Sequence, residues 1–149
     1  MTKVSEMPGE QIKEEVLARL NQYKDQSVFE LYAIFMGKAQ LLEFGLKGLL
    51  ARKFKFLHEE MELWTLGRIK NELRDNGLRP DFIQLLERAL DLRNNMAHEF
   101  LVNNQITRSI TTFSNRKLYG DLFRALYEIE QMIILHDWLE ENDDWLPRA

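Results

Sequence analysis

The chain has 149 residues, 45% of them apolar and 30% charged, with no cysteine and a formal net charge of −4. A length near the common domain size of ~100–150 residues, with ordinary apolar content, predicts one domain able to bury a core. The missing cysteines exclude disulfides, iron–sulfur clusters and thiolate zinc sites, and no run of ~18 uninterrupted apolar residues is present to cross a membrane. Together with a polar Met1–Gly9 that lacks the apolar core of a secretion signal, these features predict a soluble, cytoplasmic protein.

Glu10–Tyr23 carries Ile12, Val16, Leu17 and Leu20 at helical spacing and predicts an amphipathic helix. Ser27 followed by Glu30 is a capping box and opens a second helix running to about Lys53. Its apolar positions are Phe29, Tyr32, Met36, Ala39, Leu42, Leu46, Leu49 and Leu50, which predicts burial on several sides. A third helix is expected over Glu59–Asp75, stopped by Asn76-Gly77. Pro80 opens a fourth, which continues through Phe82, Leu85, Leu86, Ala89, Leu90 and Met96 towards Phe100.

Leu101–Asn115 reads differently, because Asn103-Asn104 favours a turn and Ile106, Ile110, Thr111, Thr112 and Phe113 favour extended backbone. Either a loose hairpin or a long loop fits, and long loops in compact domains often carry function. The last helix starts near Arg116 and carries Tyr119, Leu122, Phe123, Leu126, Ile129, Ile133 and Trp138. The expected fold is therefore all-α: an antiparallel bundle of four core helices over about residues 27–139. The N-terminal helix and an acidic C-terminal tail are additions to it.

Charge is unevenly spread. His136–Ala149 holds Asp137, Glu140, Glu141, Asp143 and Asp144 against Arg148 alone, which argues against a polyanionic partner. Two stretches lack acids: Phe44–His58, with Lys47, Arg52, Lys53 and Lys55, and Phe100–Gly120, with Arg108, Arg116 and Lys117. These seven cations are candidate RNA contacts, or else an ordinary solvated surface.

Most catalytic motifs are absent. There is no glycine-rich phosphate loop and no GxSxG elbow, and His58-Glu59-Glu60-Met61-Glu62 lacks the second histidine of a zinc helix. Three scattered histidines without cysteine predict no metal and no cofactor. His58 reads as surface, and His136 as a packed core or interface residue. Trp64 and Trp138 sit at core spacing, while Trp145 is placed to anchor either the tail or a partner.

What remains is Arg93-Asn94-Asn95-Met96-Ala97-His98. Asn94 and His98, four residues apart, share a helical face, whereas Arg93 and His98 diverge by about 140° and meet only if the long arginine swings across. A cation, an amide and a titratable imidazole can thereby serve one ligand; alternatively, His98 simply offers charge to a helix C-terminus. Glu43, on a face with Met36, Ala39, Leu46 and Leu50, either orients this group or pairs with Lys47, four residues on.

Arg93-Asn94-x-x-x-His98, with an aromatic Phe100 two residues later, resembles the Arg-polar-x-x-x-His signature of the HEPN superfamily (higher eukaryotes and prokaryotes nucleotide-binding). The resemblance covers about Ser27 to Leu139. Toxins of that family paired with a nucleotidyltransferase often carry tyrosine where Phe100 stands, so this chain has no hydroxyl there. The resemblance implies a helical bundle and metal-independent endoribonuclease activity, as a toxin or defence effector, leaving a 2′,3′-cyclic phosphate. In it His98 is the general acid/base, Arg93 holds the phosphate and stabilises the transition state, Asn94 orients the imidazole or bonds the phosphate, and Glu43 supports them. It further implies single-stranded or loop RNA as substrate, a homodimer with a shared groove, and an antitoxin or other protein partner. The alternative is a non-catalytic HEPN-like module that binds RNA or protein.

Overall fold

The computed structural model describes residues 9–105 and 111–147, with the side chains of 100–105 and 111–116 left aside. Five helices follow one another: α1 (Gly9–Asn21), α2 (Val28–Phe54), α3 (Leu66–Asp75), α4 (Pro80–Gln105) and α5 (Thr111–Glu141). Among the described residues there is no strand, so the fold is all-α.

Local chemistry sets most boundaries. Ser27 Oγ accepts from the Glu30 backbone N–H at 3.2 Å and the Glu30 carboxylate accepts from the Ser27 N–H at 3.4 Å, the reciprocal cap expected. Lys55 ends α2 in the left-handed region at φ 62°. The third helix begins at Leu66, not Glu59. Thr65 Oγ1 caps it by accepting from the Arg68 N–H, and the residues before it fold as turns, with Glu60 accepting from the Leu57 N–H. That stretch still contributes Met61, fully buried, as a plug in the core. Gly77, at φ +87°, stops α3 and lets the Leu78 N–H bond the Leu73 carbonyl.

The expected irregular stretch is largely helical. α4 continues to Gln105 and α5 begins at Thr111, so Leu101–Gln105 and Thr111–Asn115 belong to helices. Asparagine and β-branched residues lose only a few tenths of a kcal/mol in a helix, little for a long helix already propagating. Ile106–Ile110, including Arg108, lies outside the described residues.

α5 touches α1, α2 and α4. Its direction relative to each follows from the pairs that bridge them. Arg88–Glu128 and Glu99–Lys117 run in opposite order along α4 and α5, so those two are antiparallel. Lys70–Glu87 and the seat of Gly67 against Leu90 make α3 and α4 antiparallel as well. Along α2 and α5, however, Lys38–Glu130, Gly45–His136 and Arg52–Glu140 ascend together. These two helices are parallel, a departure from the expected arrangement. Short loops impose antiparallel packing on consecutive helices; the step that does not reverse direction is the one from α2 to α3, joined by the longer connection of residues 55–65.

The core stripe of α2 is Leu31, Phe35, Ala39, Leu42, Leu46, Leu49 and Leu50; Phe29 is exposed, and Tyr32 and Met36 are half-buried. Ile12 and Val16 of α1 and Trp145 of the tail belong to the same buried cluster as the other helices, so neither terminal segment is peripheral. α1 is locked by Glu130, wholly buried on α5, which accepts from Arg19 at 2.9 Å and Tyr23 at 2.8 Å and pairs with Lys38 at 3.3 Å. Burial would raise the Glu130 carboxyl, but the hydrogen bonds from Arg19 and Tyr23 and the charge of Lys38 outweigh it and hold the group below its ordinary value. Burial first, then the hydrogen bond to the Glu130 carboxylate and its negative charge, push the Tyr23 phenol up to about 12, against the opposing charge of Arg19.

The tail is tied down by Arg79, itself buried. Its guanidinium binds Asp81 at 2.8 and 2.9 Å and the Asp144 carbonyl at 3.2 Å, and its backbone N–H donates to the Trp145 carbonyl. Trp145 lies edge-on to Phe82 and to His136, at 5.2 and 5.3 Å between ring centres, and donates its indole N–H to Glu140. Trp145 thus anchors the tail to its own domain. Trp64, half-buried, packs edge-on against Phe56 with the Arg68 guanidinium over its ring at 4.5 Å. Trp138 is also half-buried.

Candidate functional site

On α4, Leu92, Asn95, Met96 and Glu99 recur at i, i+3, i+4 and i+7, which makes them one face. That face meets α5 where Asp121 and Arg124, three residues apart, project towards it. The two helices enclose an open cavity of about 430 Å³, lined by these six residues and by His98. Met96 forms its buried floor, Leu92, Glu99 and Asp121 are half-buried, and Asn95, His98 and Arg124 are exposed.

The motif residues separate. His98 is solvent-accessible and lines the cavity; Asn94 is exposed but Arg93 and Asn94 do not line it. Arg93, half-buried, does not join His98 in the lining, and the ~140° offset between the two positions leaves them apart when the side chain does not swing over. α4 runs two turns beyond His98 to Gln105, so the imidazole is too far from the helix end to serve its dipole, which acts within the last turn. Its neighbours in the cavity are Asn95, inside the segment singled out from the sequence, and Glu99, Asp121 and Arg124, which the sequence reading did not select. The α4 stripe was visible in the spacing; which face of α5 would meet it was not.

The electrostatics of the cavity are mixed. Glu99 is raised above the ordinary carboxylate range, first by burial and then by the negative charge of Asp121, with which it also hydrogen-bonds. Lys117, 3.8 Å away, and His98 act in the opposite sense. The cavity therefore holds two carboxyl groups, an imidazole and a guanidinium, with Glu99 and His98 contributed by α4 and Asp121 and Arg124 by α5.

Glu43 does not line this cavity and pairs with Lys47 at 3.9 Å, while Lys47 also donates to the Glu62 carbonyl at 3.5 Å. The expected basic tract is partly neutralised from within. Arg52 pairs with Glu140 at 2.9 Å and Lys53 with Asp143, so the acidic tail lies over the end of α2. Lys55 is exposed, Lys117 faces Glu99, and the Arg108 and Arg116 side chains lie outside the described residues. His58 is exposed in a turn. His136 is packed between Gly45 and Trp145, its Nδ1 3.1 Å from Asp137. Among the described residues no group of three acidic or histidine side chains is placed to hold a metal ion, and no helix is long and apolar enough to cross a membrane.

No protein-family model, characterised protein or solved structure matches the chain.

Proposed function

We propose that the protein is a metal-independent endoribonuclease of the HEPN type, its helices an elaborated form of that bundle. The reading rests on one observation above all: His98 is presented to solvent from inside a helix and lines a cavity, beside an amide and facing a guanidinium. The Arg93-Asn94-x-x-x-His98 pattern supplies the reaction class. A 2′-hydroxyl of single-stranded RNA gives its proton to the His98 imidazole and its oxygen attacks the adjacent phosphorus. The 5′-oxygen then leaves with a proton, producing a 2′,3′-cyclic phosphate and a 5′-hydroxyl end. Imidazole suits both transfers near neutral pH, and a guanidinium stabilises the charge that builds on phosphorus. In this reading the enzyme acts in the cytoplasm as a homodimer, under restraint by a protein partner.

His98→Ala tests the reading directly. It should abolish cleavage of unstructured RNA in EDTA while leaving the helical signal intact, a loss of roughly 10²–10⁴-fold. Glu43→Gln should leave the rate unchanged, because its partner is Lys47. Binding without cutting by the wild type would favour a second reading, a regulatory binding module.

A further inference from the structure

Most cations of this protein already have partners. Arg19, Lys38, Lys47, Arg52, Lys53, Arg68, Lys70, Arg74, Arg79, Arg88 and Lys117 are all ion-paired. Among the described residues, Arg124 has no ion pair within 4.0 Å, and it lines the same cavity as His98. Arg93 lines no part of it.

We infer that Arg124, on α5, is a phosphate-holding residue of the His98 site. The inference rests on the ribonuclease reading for the identity of its ligand, an RNA phosphodiester, and on cavity geometry for the residue. A guanidinium presents a planar fork of donors matched to two phosphate oxygens. Arg124 and His98 reach the cavity from opposite helices, so a phosphate between them meets the cation on one side and the proton-transferring imidazole on the other. Asn95, one turn before His98 on α4, adds an amide donor on the same wall. The carboxyl pair Glu99–Asp121 lines the same cavity, where it repels a phosphate and can accept from amino groups of a base.

The test uses the full chain, a short unstructured RNA for cleavage, and the same sequence with every 2′-hydroxyl methylated for binding. Affinity for the methylated strand is followed by fluorescence anisotropy over a salt series. Arg124→Ala should flatten the slope of log affinity against log salt by about 0.7, the signature of one lost contact to single-stranded phosphate. It should also lower the cleavage rate by roughly 10²–10³-fold, with Arg124→Lys restoring the slope and only part of the rate. Lys13→Ala, which removes an exposed cation of α1, should alter neither. A flattened slope in a protein whose wild type does not cleave would uphold Arg124 as the phosphate contact and reject the ribonuclease reading. An Arg124→Ala variant with wild-type slope and rate would overturn the inference, as would a wild type that does not bind the strand even at low salt.

Discussion

Arg19 on α1 reaches Glu130 on α5 at 2.9 Å, across 111 positions of sequence, and the carboxylate it meets is wholly buried. This contact, with Tyr23 and Lys38 closing the other side, makes the first helix part of the domain. Glu130→Ala should destabilise the fold by about 1–3 kcal/mol. That lies below the usual 3–5 for a broken buried pair, since the orphaned Arg19 and Lys38 are near enough to the surface to reach water. The effect should also be pH-dependent. A carboxyl held below its unfolded value stabilises the fold above about 4.5, and that contribution disappears as the pH falls through the folded value. Urea midpoints measured down to acid pH should therefore converge for wild type and Glu130→Gln.

Trp145 fills the space between Phe82 and His136, and its truncation leaves a hole that the helix ends cannot close. Trp145→Ala should lose about 3–5 kcal/mol, read as a drop in the urea midpoint. A surface role for this residue would give almost none.

Two glycines of α2 make opposite predictions from one substitution. A methyl group at Gly37 meets no atom within 4 Å, whereas at Gly45 it comes within 3.1 Å of His136 Nε2. Alanine improves a helix interior by about 0.8–1 kcal/mol over glycine, so Gly37→Ala should raise thermal stability. Gly45→Ala must displace an imidazole already wedged against Trp145, and overpacking of about 1–3 kcal/mol outweighs the helical gain. Its melting temperature should fall.

Glu140 and Asp143 shield Arg52 and Lys53. The double change Glu140→Gln and Asp143→Asn should free both cations. If these then contact RNA, the salt slope steepens by about 1.4, at 0.7 per phosphate for a single strand. An unchanged slope would remove Arg52 and Lys53 from the RNA-binding surface.

Helix chemistry was readable wherever it is local. Ser27 with Glu30, Asn76-Gly77 and Pro80 announce their boundaries through hydrogen bonds spanning a few residues, and the structure contains those boundaries. Non-local features were hidden. Nothing in the residues around Glu130 or Arg79 marks them as buried, because the partners that make their burial tolerable lie on other helices or at the far end of the chain. The apolar periodicity of α2 indicated a core but placed Phe29 inside it, since an excess of apolar residues fits more than one stripe. At the candidate site His98 stood out by type and spacing, whereas Arg124 and Asp121 became relevant only once α5 was set antiparallel to α4.

Because α2 runs parallel to α5, and α1 is fastened to α5 through Glu130, the first third of the chain finds its main packing surface only in the last third. A ribosome making this protein releases α1 and α2 long before α5 exists to cover them. Leu31, Phe35, Leu42 and Leu46 must then remain uncovered by α5 at least through the synthesis of the 56 residues (55–110) between α2 and α5, or be shielded by chaperones. Contacts of such separation slow folding relative to helical proteins of local connectivity. The domain should therefore acquire protease resistance only after α5 has emerged, and late in a single step.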